Sequence, residues 1–317
     1  MNALVVLSGD FIRDLRVIGM ALGGVMLLSV VAGAQDLEPR AYSPSPVGTS
    51  FVGLAYGRSS GDVTFDPTIP ITNVHATFNS AGLGIGQTFG ALGRQGMFTA
   101  ALPYAWGTGT GDVGNGQSSI YRSGLVDVRT RLSVNLKGVP AMSAREFARK
   151  PHRDLIIATS LTMTSPSGQY GNTKLVNLGT NRWSFKPEIG VSYPVKRLDL
   201  DFYAGAWFFT ENRSYYMGQS IRMQEPLTTL QAHVSYTLKP RLWVAFDSTW
   251  YGGGSVTVDG GTPTQREGNS RMGGTVSLPL MKGQSLKIGY SSGVTGNIGA
   301  NFTTFNVGWQ YVWIDRR

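Results

Sequence analysis

A chain of 317 residues with 42 glycines, no cysteine and a formal net charge of +9 excludes disulfide staples, thiolate metal sites and thiol catalysis. The basic balance raises nucleic acid as a partner, but the lysines and arginines are scattered through alternating segments instead of being gathered on one element, which argues against it. In chain order, the first element is a leader. Arg13 and Arg16 precede the apolar run Val17 to Val31, and Ala32-Gly33-Ala34 supplies the small residues that a signal peptidase accepts, so residues 1–34 read as a secretory signal with the mature chain beginning at Gln35. A membrane-anchoring helix is the alternative, for which the run is short, and initiation at Met20 would remove both arginines. Beyond the leader no stretch approaches about 18 consecutive apolar residues, so any further crossing of a membrane must use strands.

Residues 35–48 follow, punctuated by Pro39, Pro44 and Pro46. Missing amides forbid a central strand, so this segment is expected to be an N-terminal tail or a plug whose polar handles Asp36, Glu38 and Arg40 pair with lumen charges. From residue 49 the chain alternates apolar and polar residues. The stretches near 49–58, 74–89, 96–106, 122–136, 153–164, 181–193, 198–211, 225–238, 241–251, 268–280, 285–292 and 301–313 predict about twelve strands. The period is clearest from Val126 to Leu136, where Val126, Val128, Leu132, Val134 and Leu136 share one face, and Asp127, Arg129, Arg131, Ser133 and Asn135 the other. One face suits hydrocarbon and the other water, so the expectation is an all-β, antiparallel, up-and-down transmembrane barrel of about 12 strands spanning 49–313, with a short C-terminal tail at 314–317.

The connections set its orientation. Those around 59–73, 107–121, 165–180, 212–224 and 252–267 are long and rich in Gly, Ser, Thr and Asn, whereas those around 90–95, 194–197, 239–240 and 281–284 are short. Long loops belong outside and short turns in the periplasm. The exception is Lys137 to His152, a long periplasmic connection whose stretch 142–150 reads as a short amphipathic helix with a solvated basic face, Lys137, Arg145, Arg149, Lys150 and Arg153. Trp183 and Tyr193 lie ten residues apart on one face, which at about 3.3 Å per residue and a tilt of about 40° spans an apolar band of about 25 Å. Phe305, Val307, Trp309, Tyr311 and Trp313 repeat the pattern in the last strand, and Tyr236 and Trp250 fit the same aromatic girdle. Pro103, Pro187 and Pro279 interrupt candidate strands, where bulges or strand ends are expected.

His75, His152 and His233 lack zinc-site spacing, so no metal and no cofactor is expected. His233 falls on the polar face of 230–238 with Gln231, Ser235 and Thr237, which favours a hydrogen-bonded lumen residue over a lipid-facing hydrolase base. The glycines of Gly82-Leu-Gly-Ile-Gly86 lack a nucleotide-loop register and fit strand bending. Lumen-lining candidates are Asp127, Arg129, Arg131, Lys186, Glu188, His233, Asp247, Arg271 and Lys287, together with Asp199 and Asp201. Both signs are present, so these charges either pair and stiffen the wall or set a field across a constriction.

Several stretches, Arg40-Ala-Tyr-Ser-Pro-Ser-Pro-Val-Gly48, Phe65-Asp-Pro-Thr-Ile-Pro-Ile71, Pro140-Ala-Met-Ser-Ala-Arg-Glu-Phe147 and above all Pro166-Ser-Gly-Gln-Tyr-Gly171 down to Asn177-Leu-Gly-Thr-Asn-Arg-Trp-Ser-Phe-Lys-Pro-Glu-Ile-Gly190, resemble the MetA-pathway of phenol degradation family of outer-membrane transporter barrels. The resemblance implies a barrel in the outer membrane of a Gram-negative bacterium, associated with uptake of aromatic or other hydrophobic compounds; the family name does not denote phenol chemistry. A departure is Ile314-Asp-Arg-Arg317, which follows the aromatic residue that commonly ends such a barrel.

The function expected is a monomeric, non-enzymatic channel for passive uptake of small, aromatic or hydrophobic compounds. Its partners would be the lipid bilayer and lipopolysaccharide, the outer-membrane assembly machinery and a small-molecule solute, with no nucleic acid. A nonselective or structural barrel, a membrane-embedded lipid hydrolase and a secreted soluble β-sandwich are the alternatives.

Overall fold

The alternation closes into a barrel. The computed structural model describes residues 37–64, 71–113, 116–149, 154–174, 176–216, 218–295 and 299–314. The leader with its cleavage site, Asp36, the stretch 65–70, Lys150, His152, Arg153 and the last three residues lie outside them.

The strands are β1 (Thr49–Thr64), β2 (Ile71–Ala91), β3 (Arg94–Val113), β4 (Gly116–Leu125), β5 (Arg129–Lys137), β6 (Ile156–Thr164), β7 (Ser184–Val195), β8 (Leu198–Phe209), β9 (Asn212–Tyr215), β10 (Ser220–Gln224), β11 (Leu227–Lys239), β12 (Leu242–Gly253), β13 (Val256–Val258), β14 (Glu267–Pro279), β15 (Gln284–Thr295) and β16 (Gly299–Ile314). Neighbours in the chain pair antiparallel all round, and β1 pairs with β16 to close the sheet. With β4 and β5 counted as one interrupted stave this is a twelve-strand antiparallel barrel, as the period implies, while β9, β10 and β13 form a separate three-stranded sheet in the long loops. No helix among the described residues is long and apolar enough to cross a membrane. Closure pairs the backbone groups that an open sheet would leave bare in hydrocarbon.

Faces follow parity. Leu54, Leu83, Leu102, Leu132, Leu161, Ile189, Phe202, Phe246 and Phe305 point outward and are exposed, as are Trp183, Tyr193, Tyr236, Trp250, Tyr311 and Trp313. Ser133, Asn135, Ser160, Thr162, Thr229, Gln231, Ser235, Thr249 and Ser277 point inward and are buried.

Three features depart from the sequence reading. The stretches 59–73 and 107–121, expected as loops, are largely strand. Ser59 pairs with Thr304 and Ser60 with Thr77 through hydroxyl bonds of 2.9 and 2.7 Å, which sustain the ladder beyond the membrane band. Strands of 16, 21 and 20 residues in β1, β2 and β3 exceed the ten or so that a bilayer needs.

The second departure is in the fourth stave. Leu125 faces Tyr104 and Arg129 faces Ala101, so the three residues 126–128 oppose two on β3. One extra residue flips parity: even positions such as Gly124 point inward on β4, odd positions such as Arg131 on β5. Pro103, whose carbonyl accepts from the Val126 amide at 2.9 Å, lies opposite this bulge. Pro279 ends β14. At Pro187 the β7–β8 ladder lapses between Phe185 and Glu188 without a change of register.

The third is small. The helix α1 (Ala144–Arg149) is only 6 residues long. Ser143 and Glu146 form a capping box, with the Ser143 amide donating to Glu146 Oε2 at 2.8 Å and the Glu146 amide to Ser143 Oγ at 3.4 Å. Phe147 and Met142 form a small buried cluster, and the Met142 carbonyl accepts from the Val47 amide at 2.8 Å.

Candidate functional site

The lumen is built in two tiers. By the long-loop rule the ends of β8 and β12 and the start of β11 are external, and the tier nearer the periplasm holds residues 37–48. Proline removes amide donors along this segment, so side chains and isolated amides fasten it. Glu38 forms an ion pair with Arg131 on β5. The Arg40 amide donates to Asp201 Oδ2 at 3.0 Å, and its guanidinium reaches Asp199 and Thr237 Oγ1 and lies 4.8 Å from the Trp243 ring. The Ala41 amide donates to the Tyr203 hydroxyl at 3.1 Å. Tyr42 donates to Glu188 Oε1 at 2.8 Å, sits 3.0 Å from Ser160 Oγ and stands edge-on to Tyr203. Arg40 itself has a φ of 64°, a left-handed conformation that costs a non-glycine residue on the order of 1 kcal/mol and persists only where contacts over-determine it.

Gly190 makes room for this packing. A Cβ there would meet the Tyr42 ring at 2.2 Å. The charged wall residues are coupled to the same segment. Arg131 bridges Glu38 and Glu188, at 3.0 Å to the latter, with its guanidinium 4.9 Å from the Tyr42 ring. Lys186 pairs with Glu188 at 2.8 Å, two residues along β7 and therefore on the same face. Such pairs balance a high desolvation cost by mutual attraction, and removing one partner is expensive.

The other expected lumen residues divide as follows. His233 and Asp247, directly opposite on β11 and β12, share a 2.8 Å bond, and Asp247 also accepts from Thr275 Oγ1 at 2.7 Å. Arg271 donates to Ser291 Oγ, the Phe302 carbonyl and Thr304 Oγ1, tying β14, β15 and β16 together. Lys287 lies 5.6 Å from the Trp243 ring. Asp127 does not sit in a regular stave: in the bulge its carboxylate accepts from the Gly168 amide at 2.8 Å, the Thr180 amide at 2.8 Å and Thr180 Oγ1 at 2.6 Å, holding the 165–183 loop over the rim. Arg129 is in the outer tier, 5.8 Å from the Trp207 ring.

The outer tier carries an apolar cluster that strand periodicity alone does not announce. Trp207, Leu227 and Tyr251 form a buried apolar cluster with Phe209 packed against it, on the inward faces of β8, β11 and β12. Parity places Trp207 inward with Asp201 and Tyr203, and an apolar residue on a polar face was the available signal. Around the cluster stand cations. Arg129 and Lys186 lie 5.8 and 5.6 Å from the Trp207 ring, and Arg182 lies 4.3 Å from the Phe209 ring. Arg182 lies in the candidate strand 181–193 on the face of Lys186 and Glu188, so parity turns it inward and it is buried; Arg222, in the long-loop sheet, carries no such signal. Burial first, then the like charge of Arg222, lowers the pKa of Arg182; an arginine nonetheless keeps its proton at neutral pH. Among the described residues no cluster of three or more His, Asp or Glu is placed to hold a metal ion.

A closed twelve-strand barrel with an apolar outer band and a charged, occupied lumen is a β-barrel of the outer-membrane type. The chain belongs to the family described as "Putative MetA-pathway of phenol degradation", whose model matches residues 57–305. Its fold is similar to that of the COG4313 outer membrane channel from Pseudomonas putida F1, at 17% identity and a TM-score of 0.71 over 88% of this chain and 100% of that one. It is also similar to the transport unit of the autotransporter AIDA-I from Escherichia coli, at 12% identity and a TM-score of 0.50 over 94% and 98%. No curated protein matches the chain in sequence.

Proposed function

We propose that this barrel is a channel for passive passage of small, aromatic or otherwise part-apolar compounds across the outer membrane, with residues 37–48 acting as its gate. The observation that carries this is the apolar ledge of Trp207, Leu227, Tyr251 and Phe209 inside a lumen that is otherwise polar. A pore for small hydrophilic solutes gains nothing from burying such a surface, whereas ligand sites are concave and largely apolar with a few placed polar groups. The fold supports it too, since the similar Pseudomonas putida protein is itself an outer membrane channel.

The test is a deletion of Asp36 to Pro46, with the residues before it retained, in planar bilayers and in liposome uptake with benzyl alcohol, benzoate and glucose. The full chain should admit the aromatic solutes in preference to glucose, and the deletion should raise conductance and weaken that preference. A purely structural barrel is the second reading, favoured by the ion pairs that tie the N-terminal segment to the wall. It requires that neither protein conduct or take up any of the three.

A further inference from the structure

The outer tier holds a guanidinium whose bonding is incomplete. Arg182 is 7% exposed, and its Nε and Nη1 have no hydrogen-bond partner among the described residues; only Nη2 is engaged, by Gln224 Oε1. A buried charge left without partners is costly, so such a group implies a partner that comes and goes. The nearby carboxylate does not serve. Asp127 accepts three bonds from Gly168 and Thr180 and forms no ion pair with Arg182.

A second cation stands beside it. Gln224 and Arg222 are two residues apart on β10 and so share a face, and Arg222 lies 5.8 Å from the Tyr215 ring. The two positive groups repel one another, a cost that an anion between them would reverse. Facing them from the surrounding elements are Asp127 in the bulge and Glu267 at the start of β14. Glu225 is turned to Ser255 at 2.7 Å and to Arg266 at 3.7 Å.

Phe209 joins these cations to the ledge. Its ring lies 4.3 Å from the Arg182 guanidinium and packs against the Trp207, Leu227 and Tyr251 cluster. Planar guanidinium donors at the edge of an aromatic shelf are the recognition pattern for a carboxylate attached to an apolar body. Farther in, Arg129 and Lys186 flank Trp207, giving an anion its next partners toward the N-terminal segment.

We infer that Arg182 and Arg222 form a carboxylate-binding site at the outer mouth, and that the solutes taken from it are small carboxylates with an aromatic or aliphatic body seated on the Trp207, Leu227 and Tyr251 ledge. This rests on the channel reading above and narrows it from part-apolar compounds to amphipathic anions.

The experiment uses the full chain in planar bilayers and proteoliposomes, with benzoate and its neutral counterpart benzyl alcohol as probes, and sodium chloride selectivity as the control for bulk charge. Benzoate should block single-channel current at concentrations where benzyl alcohol does not. Arg182→Gln and Arg222→Gln should each raise the half-blocking benzoate concentration about tenfold, the loss of one charge-assisted bond pair, with benzyl alcohol uptake unchanged. Arg182→Lys, which keeps charge but not the planar fork, should recover only part of the effect. Should Arg182→Gln lose the heat-dependent electrophoretic shift of a closed barrel, Arg222→Gln, on a loop strand outside the membrane band, gives the same reading alone. Benzoate block that is equal in all variants, or a change confined to chloride selectivity, overturns the site while leaving the channel standing. Failure of both probes to enter overturns the channel reading and the site with it.

Discussion

Replacing Arg131 by methionine tests how the N-terminal segment is held. The side chain keeps an unbranched apolar stem and loses the guanidinium, so the contacts removed are those to Glu38, Glu188 and the face of Tyr42. Glu188 is cushioned, because Lys186 at 2.8 Å and the Tyr42 hydroxyl at 2.8 Å remain. Glu38 is not. It is 9% exposed, Arg131 is its ion-pair partner among the described residues, and only the more distant charge of Lys287 still reaches it, so most of the penalty falls there. Removing one member of a buried pair costs about 3–5 kcal/mol; the lower end applies here because Glu38 belongs to a segment that can withdraw into water. A cost of about 3 kcal/mol multiplies the population with residues 37–48 released by a factor of about 100. The barrel is closed by other strands, so it should survive. The assays are limited proteolysis within residues 37–48 and single-channel open probability, both of which should rise while heat-dependent migration is retained. Adding Glu38→Gln to Arg131→Met should restore part of the protection, because the orphaned charge is gone. Unchanged proteolysis and conductance in Arg131→Met, or strict additivity in the double variant, would refute the argument that this pair anchors the segment.

Two further perturbations probe the wall. Leu132→Arg, on the lipid face of β5, should destabilise the barrel by about 2–4 kcal/mol near the midplane, whereas Arg129→Gln, inward on the same strand, should change folding in urea by less than about 1 kcal/mol; equal losses would put the register one residue out. Asp127→Asn removes the charge that accepts from Gly168 and Thr180, costing about 1–3 kcal/mol of loop ordering, so protease should cut within residues 165–183 faster than in the parent while the rest of the barrel stays resistant.

Much of the wall is legible in one dimension because a strand repeats every two residues and a barrel has only two faces. Knowing that Leu132 is apolar and Ser133 polar is enough to send one to lipid and the other to the lumen, and the same rule places His233, Asp247 and Lys186 on the inward face without any knowledge of their partners. The rule breaks at residues 126–128. Asp127 fits the alternation of its neighbours as well as a regular residue would, so nothing local marks the extra residue that flips parity between β4 and β5; only the pairing of Leu125 with Tyr104 and Arg129 with Ala101 exposes it. The long stretches of turn chemistry mislead for a related cause. Gly, Ser and Thr around 59–73 carry turn chemistry in isolation, but Ser59 finds Thr304, 245 residues away, and the ladder continues.

Which charge meets which was beyond the sequence altogether. Arg131 and Glu38 are 93 residues apart, and Arg40 and Asp201 161. Prolines 39, 44 and 46 announced a segment that could not join the sheet; that it threads the lumen was decided by closure, which alone brings β5, β7, β8 and β11 around it. The outer tier shows the same division. Periodicity turns Trp207 and Arg182 inward, but it cannot act on Arg222, whose position is set by the fold of a long loop, nor show that Gln224 of the same loop strand meets Arg182. Strand faces are a local property of backbone geometry, whereas a site inside a barrel is made of residues from all around its circumference and exists only once the sheet has closed.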